Sequence, residues 1–204
     1  MVEPTPKEGV DLCITWEGWH RALSDGRAAP YKCPAGVWTI GYGTTYWDDG
    51  TPVKPSDDAI AKDVGRQLLL RQLQSYAAAV DSYVKVRIHP WMRAALISFA
   101  YNVGTAALKT STLLKRINAR RWSDCTAEFC KWRNGGGRVL TGLLRRRQDE
   151  AALFMRGVAQ LGVAPAPAPI VARPAASADA SLPWWRQIIG GILDGLNRPA
   201  GVPA

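Results

Sequence analysis

The chain has 204 residues, 47% of them hydrophobic, which suits one well-cored domain with an appendage. No stretch is long and apolar enough to span a bilayer, and the first residues lack the charged-then-apolar order of a secretory signal, so we expect a soluble protein made in the cytoplasm. The formal net charge of +9 predicts a polyanionic partner: nucleic acid, anionic lipid or an acidic cell-wall polymer.

Four cysteines are too few, in a chain of this size without a signal peptide, to indicate a disulfide framework. They are Cys13, Cys33, Cys125 and Cys130. None has further ligand-type residues at the spacing of a zinc site. We therefore predict reduced thiols, no metal and no cofactor.

The first half of the chain changes character twice. Apolar residues recur with a helical period from Glu8 to His20, which places Glu17 near the C-terminal end of a first helix. Between residues 24 and 50, glycines, prolines and β-forming residues predict a small antiparallel sheet with tight turns. Ser56 and the two aspartates after it are typical of a helix start, and a long helical pattern follows them.

The second half is predicted to be helical. An apolar helix begins at Pro90 and stops at Gly104, and shorter helices are expected over 111–118, 123–132 and 140–155. The predicted class is α+β, with a small antiparallel β-hairpin lobe beside a mainly α-helical lobe.

The C-terminal part differs in composition from the rest. We predict a folded domain over residues 1–160, an Ala/Pro-rich, extended linker over 161–181 and an amphipathic tail over 182–204. The tail places two tryptophans and several aliphatic residues on one helical face, which suits contact with an anionic membrane. Docking of the same face on the domain or on a partner is the alternative.

One constellation of residues carries chemistry. A glutamate in WEGW ends the first helix, and the hairpin stretch PYKCPAGVWTIGYGTT follows it. With Glu17, Cys33 and Thr39 at these places, the chain resembles the phage-type lysozymes, the endolysins of glycoside hydrolase family 24. AGVWTIGYG is similar to the family's most recognisable signature. AALISFAYNVG and WRNGGGRVLTGLLRRRQDE are similar to its central helix and its C-terminal glycine-arginine block.

The resemblance implies a lysozyme-like fold and a muramidase that cuts peptidoglycan for host lysis. It also implies release from the host cytoplasm to the wall when the cell lyses. We further expect a monomer that binds no nucleic acid. The spacing departs from the family at one point. Fifteen residues separate Glu17 from Cys33, seven more than the family's usual eight, which we interpret as a loop insertion, ALSDGRA.

The family pattern gives each catalytic candidate a role. Glu17 is the acid, and neighbouring tryptophans would desolvate it and so favour its protonated form. Thr39 would hold the nucleophilic water by its hydroxyl. Cys33 would orient that water or attack the sugar directly. Asp25, inside the insertion, is a rival for the carboxylate role, although Ser-Asp-Gly-Arg is also an ordinary turn.

Aromatic and amide side chains are the expected sugar ligands. The candidates are Trp38, Tyr42 and Asn102, the last of which is equally explained as a residue at a helix end. The arginines 145–147 either supply a partner for Glu17 or solvate a helix. The competing functions are a membrane-active protein and a basic nucleic-acid binder without hydrolase activity, but the latter lacks any recognised nucleic-acid-binding motif.

Overall fold

Seven helices and two short hairpins make up the part of the chain that the computed structural model describes, residues 4–33, 36–135 and 137–162. The helices are α1 (Lys7–Glu17), α2 (Lys62–Tyr83), α3 (Pro90–Val103), α4 (Thr105–Thr110), α5 (Thr112–Asn118), α6 (Trp122–Cys130) and α7 (Thr141–Gln160). The antiparallel hairpins pair β1 (Tyr31–Lys32) with β2 (Trp38–Thr39) and β3 (Asn134–Gly135) with β4 (Arg138–Val139).

Helix α3 lies at the centre of the helical lobe. Every residue from Met92 to Asn102 is buried, so the helix needs neighbours on all sides, and α1, α2, α4 and α7 supply them. Pro90 fits its first turn because that position needs no backbone donor, and Gly104 ends it with a φ of 92°. The helix that carries Ser98 and Asn102 is therefore the scaffold for the others.

The small lobe contains β1, β2 and the irregular chain up to α2. In the hairpin, Tyr31 lies opposite Thr39. A small apolar cluster fills the space between this lobe and the start of α2 and consists of Ile40, Val53, Ile60 and Leu68. The predicted β-hairpin lobe beside a mainly helical lobe is confirmed.

Trp19 joins the two lobes, because its ring packs on both the small cluster and the main helical core. Gly65 of α2 makes room for that ring, since a Cβ atom there would lie 2.5 Å from Trp19 Cζ3. Gly41, at a φ of 59°, borders the same ring. Tyr42 packs beside it, with ring centroids 4.8 Å apart. A glycine at position 65 is thus a packing requirement of the lobe contact.

The structure corrects the predicted start of α2. The helix begins at Lys62 and not near Ser56. The Asp57 carboxylate, predicted to cap the helix, accepts hydrogen bonds from Trp47 Nε1 at 2.7 Å and from the Lys54 amide at 2.8 Å. These bonds stabilise a turn that precedes the helix, because aspartate competes well for local backbone donors.

Two further boundaries and one element differ from the prediction. Helix α1 ends at Glu17 and not at His20, because Gly18 turns the chain with a φ of 73°. Helix α7 runs five residues beyond Met155. The β3–β4 hairpin interrupts a region predicted to be wholly helical, and its glycine-rich sequence is too short to show a strand pattern.

The predicted linker and tail lie outside the described residues, apart from Leu161 and Gly162, so the domain boundary and the amphipathic helix stay predictions. Within the described ranges, no helix combines the length and the hydropathy needed to cross a bilayer.

Gly65→Ala tests the lobe contact. Alanine normally stabilises a helix interior by about 1 kcal/mol relative to glycine. Here we expect the opposite sign, a loss of about 1–3 kcal/mol, because the new methyl group overpacks against the Trp19 ring. Chemical denaturation measures the free energy of unfolding. Val64→Ala, at the exposed neighbouring position, is the control and should change stability by less than about 0.5 kcal/mol. A stabilised Gly65→Ala variant would contradict the packing argument.

Candidate active site

Glu17 is the last residue of α1, and its side chain is buried, with 1% of its surface exposed. Its Oε1 accepts a hydrogen bond from Arg146 Nη1 of α7 at 3.1 Å. The chain reverses directly after it, and His20 Nε2 donates to the Glu17 carbonyl oxygen at 2.6 Å. Glu17 is therefore held by one hydrogen bond to its side chain and another to its backbone carbonyl group.

The partner of Glu17 belongs to a buried ionic network. Glu150 Oε1 accepts three hydrogen bonds, from Ser98 Oγ at 2.8 Å, Arg147 Nη2 at 2.9 Å and Arg146 Nε at 3.2 Å. Arg146 also donates through Nη2 to the Ser98 carbonyl oxygen at 3.3 Å. No member of the network is accessible to solvent. One guanidinium group thus connects α1, α3 and α7 at the end of Glu17.

The two arginines of this network differ electrostatically. Burial alone would lower the pKa of Arg146, but the charges of Glu17 and Glu150 outweigh it and raise that pKa. For Arg147, burial dominates and lowers the pKa to about 10, although Glu150 opposes it. Arg147 lies over the Phe99 ring, 4.9 Å from its centroid, and its Nε and Nη1 have no hydrogen-bond partner among the described residues. Arg146 is therefore the firmly charged cation beside Glu17.

Cys13 borders the same network from one turn earlier on α1. Its side chain is buried, and burial raises the pKa of the thiol to about 12, against a smaller opposing effect of Arg146. A thiol with such a pKa is protonated at neutral pH and is a poor nucleophile. Cys13 acts as a small apolar packing residue.

A single carbonyl group holds Cys33 and Thr39 together. The Val37 oxygen accepts from the Cys33 amide at 2.9 Å and from Thr39 Oγ1 at 3.1 Å. Both side chains are buried, Thr39 completely and Cys33 with 7% of its surface exposed. Five residues separate Cys33 from Thr39 in the sequence, and the bonds to Val37 bring the two residues to the same carbonyl group.

The hairpin is held against the end of α1 by aromatic packing. The His20 ring lies 5.6 Å from the Tyr31 ring, and Tyr31 is the cross-strand partner of Thr39. His20 also bonds to the backbone of Glu17. This chain of contacts ties the loop of Cys33 and Thr39 to the helix end that bears the glutamate.

The predicted sugar ligands lie in three different environments. Trp38 is half-buried and packs on the small apolar cluster. Tyr42 is buried beside Trp19, and burial raises its pKa. Asn102 is 1% exposed, yet neither its Oδ1 nor its Nδ2 has a hydrogen-bond partner among the described residues. An unsatisfied buried amide is costly, so a ligand that supplies its partners would bind favourably there.

The structure bears on two questions that the sequence left open, the role of Asp25 and the partner of Glu17. Asp25 is exposed, and its carboxylate accepts from the Arg27 amide at 3.0 Å and from Arg27 Nε at 2.7 Å, bonds that lower its pKa. The turn interpretation of this segment therefore holds. Of the three consecutive arginines, Arg146 pairs with Glu17.

Sequence reasoning missed Ser98 and Glu150. The four-residue separation of Arg146 and Glu150 on one predicted helix was the available signal for an ion pair. The same spacing occurs in exposed ion pairs, so it did not indicate that Arg146 and Glu150 are buried.

Arg146→Met tests the network. Removing the cation that Glu17 and Glu150 share takes an opposite charge away from two buried carboxylates, and we expect a loss of about 3–5 kcal/mol in the free energy of unfolding. Arg145→Met, at the neighbouring half-buried position, is the control and should cost less than about 1 kcal/mol. Equal losses in the two variants, measured by urea denaturation at neutral pH, would refute the special role of Arg146.

Comparison with known proteins agrees with this geometry. The family model described as phage lysozyme matches residues 16–150. The endolysin of Bacillus phage B103 is 41% identical over 149 residues, 73% of this chain and 53% of that protein, so the chain spans about half of that relative. The endolysin of Acyrthosiphon pisum secondary endosymbiont phage 1 is 36% identical over 152 residues, covering 72% of this chain and 95% of that protein.

A solved structure supports the same assignment. The endolysin from Escherichia coli O157:H7 phage FAHEc1 superposes with a TM-score of 0.66 at 32% identity, over 75% of this chain and 94% of that chain. The predicted lysozyme-like fold is thereby confirmed. The extent of the family match, its agreement with the relatives and the shared fold lead to one conclusion: the chain belongs to the phage lysozyme family.

Proposed function

We propose that this chain is a muramidase of the endolysin kind. It hydrolyses the β-1,4 bond between N-acetylmuramic acid and N-acetylglucosamine in bacterial peptidoglycan and serves host cell lysis. The observation that carries this proposal is the buried Glu17 carboxyl group, paired with Arg146 at the end of α1 and tied to the hairpin loop of Cys33 and Thr39.

Glu17 is the general acid in the proposed mechanism. Glycoside hydrolysis requires a proton for the leaving oxygen, and a carboxyl group held in a dry site can deliver it. Arg146 lies 3.1 Å from Glu17 Oε1, where its charge stabilises the carboxylate that remains after proton transfer. Glu150 and Ser98 keep that guanidinium in place, so they are positioning residues.

Thr39 and Cys33 are proposed to act on the attacking side of the reaction, where a nucleophile approaches the sugar carbon. The Thr39 hydroxyl uses its proton for the Val37 carbonyl, which leaves its oxygen lone pairs to accept from a water molecule. Cys33 either orients that water or attacks the sugar carbon while the bond to the leaving oxygen breaks and Glu17 protonates that oxygen. In the second case the water then hydrolyses the bond between sulfur and sugar, which releases the sugar and regenerates the thiol. These roles need no cofactor, because side chains supply the acid and the nucleophile.

Substrate recognition is proposed to involve three side chains. The unsatisfied amide of Asn102 matches the hydroxyl and acetamido groups of an amino sugar, which both donate and accept hydrogen bonds. Trp38 offers an aromatic face, while Tyr42 contributes through its packing with Trp19. The net charge of +9 favours approach to an acidic wall polymer.

The same proposal covers location and assembly. The protein is made in the host cytoplasm, reaches the wall when the cell lyses and works there as a monomer. The residues 182–204, through their apolar content, supply contact with anionic membrane.

Glu17→Gln tests the proposed acid. The amide keeps the shape of the side chain but cannot donate a proton to the leaving oxygen, so hydrolysis of purified peptidoglycan should fall by at least about 100-fold. Loss of turbidity of the wall suspension measures this. Glu8→Gln on the same helix is the matched control and should keep full activity. Thermal melting checks that both variants are folded at the assay temperature. Residual activity above about a tenth of the native rate rules out Glu17 as the acid.

Substitutions of Cys33 test whether its thiol takes part in the attack on the sugar. Cys33→Ser changes one atom and leaves the loop intact, so a strong loss of activity, by at least about 100-fold, is expected if the thiol acts chemically. Cys33→Asp introduces the family's other residue for this position and should retain activity. The two variants are compared on the same wall suspension. A fully active serine variant, or an inactive aspartate variant that is folded, would remove Cys33 from the mechanism.

A further inference from the structure

A pocket lies at the C-terminal end of α7, away from the Glu17 site. It has a volume of about 350 Å³ and is lined by Arg87, Arg120, Trp122, Gln160 and Leu161. Three connections meet there: the α2–α3 loop, the α5–α6 turn and the C-terminal end of α7. Residue 160 follows Arg146 by fourteen residues on the same helix, a distance of about 21 Å at 1.5 Å per residue. The pocket is therefore separate from the candidate active site.

The two arginines of the pocket are available for a ligand. Neither guanidinium group forms an ion pair or a side-chain hydrogen bond with another described residue, and both side chains are exposed. Other arginines of the chain are paired, such as Arg27 with Asp25 and Arg71 with Asp48. Two guanidinium groups on one pocket, neither paired within residues 4–33, 36–135 and 137–162, favour an anion, and their planar geometry suits carboxylates.

The backbone at Arg120 determines which substitution can test the pocket. Helix α5 ends in a Schellman motif, in which the Arg121 amide bonds to the Arg116 carbonyl and the Arg120 amide to the Ile117 carbonyl. Glycine is the usual residue at the left-handed position of this motif, yet Arg120 occupies it with a φ of 55°. Glycine at this position would avoid the backbone cost, so Arg120→Gly removes the guanidinium group without disturbing the turn.

The remaining lining residues narrow the ligand class. Trp122 and Leu161 give the pocket an apolar wall, and the Gln160 amide can both donate to and accept from a peptide group. A short acidic peptide matches this combination of two cations, an apolar wall and an amide.

We infer that this pocket binds the acidic peptides of peptidoglycan through their carboxylate groups. The choice of the wall as the source rests on the proposed function. A polymer that carries many such peptides can then be held about 21 Å from the bond that is cut. Binding of one peptide in the pocket keeps the neighbouring sugars near the Glu17 site at the other end of α7.

The test is a titration of the full chain with stem peptides released from purified peptidoglycan by an amidase. The indole N–H signal of Trp122, assigned with Trp122→Phe, should shift saturably in nitrogen-proton spectra. Arg87→Ala and Arg120→Gly should each weaken binding by about tenfold, the effect of losing one charged hydrogen-bonding partner. Methyl esters of the same peptides should not bind.

Arg120→Gly carries its own check on folding. Glycine suits the left-handed position, so the variant should melt at the same temperature as the native chain or higher. Arg21→Gly is the matched control, because Arg21 also has a positive φ, of 56°, and its replacement removes the same charge outside the pocket. It should leave peptide binding unchanged.

Two results would overturn the inference. One is the absence of a Trp122 shift in the full chain, and the other is an equal loss of affinity in Arg120→Gly and Arg21→Gly, which would indicate general charge attraction only. The titration involves no hydrolysis, whereas Glu17→Gln is judged by hydrolysis alone. The inferred pocket and the proposed function can therefore fail independently.

Discussion

The buried guanidinium group of Arg146 lies between two carboxylates, and the arrangement of the helical lobe depends on that placement. A charge in a dry interior is tolerated only with partners in good geometry, and removal of one partner typically costs about 3–5 kcal/mol. Glu17 comes from α1, Glu150 from α7 itself, and the Ser98 carbonyl from α3. The three helices must therefore pack in one register. The interaction that fixes this register also fixes the candidate acid.

The same constraint explains the polar residues of an otherwise apolar helix. Helix α3 buries nearly its whole circumference, so a serine and an asparagine there need a reason. Ser98 satisfies the network through its hydroxyl and its carbonyl. Asn102 follows by four residues and so lies on the same side of the helix, with its amide unsatisfied among the described residues. One face of α3 thus carries Ser98, whose hydrogen bonds are formed within the network, and Asn102, whose amide has no partner among the described residues.

Local signals predicted the elements whose limits are set by single residues. Pro90 and Gly104 gave the limits of α3, and the glycines, prolines and β-forming residues between 24 and 50 indicated the small antiparallel hairpin. The start of α2 was wrong because Asp57 bonds to Trp47, ten residues back, a contact that no local pattern contains. The partner of Glu17 was not decided among three arginines, because the choice depends on how α7 is rotated against α1 and α3. Packing, and not periodicity, sets that rotation.

Trp19 has a consequence for how the stabilities of the two lobes are related. The apolar core is divided into a small cluster and a large one, and this indole packs on both. Its ring is held closely, because a Cβ atom at Gly41 or Gly65 would meet it and its Nε1 donates a hydrogen bond to the Gly26 carbonyl oxygen at 3.0 Å. Loss of this one side chain would therefore loosen both apolar clusters at once, so the indole couples the unfolding of one lobe to that of the other.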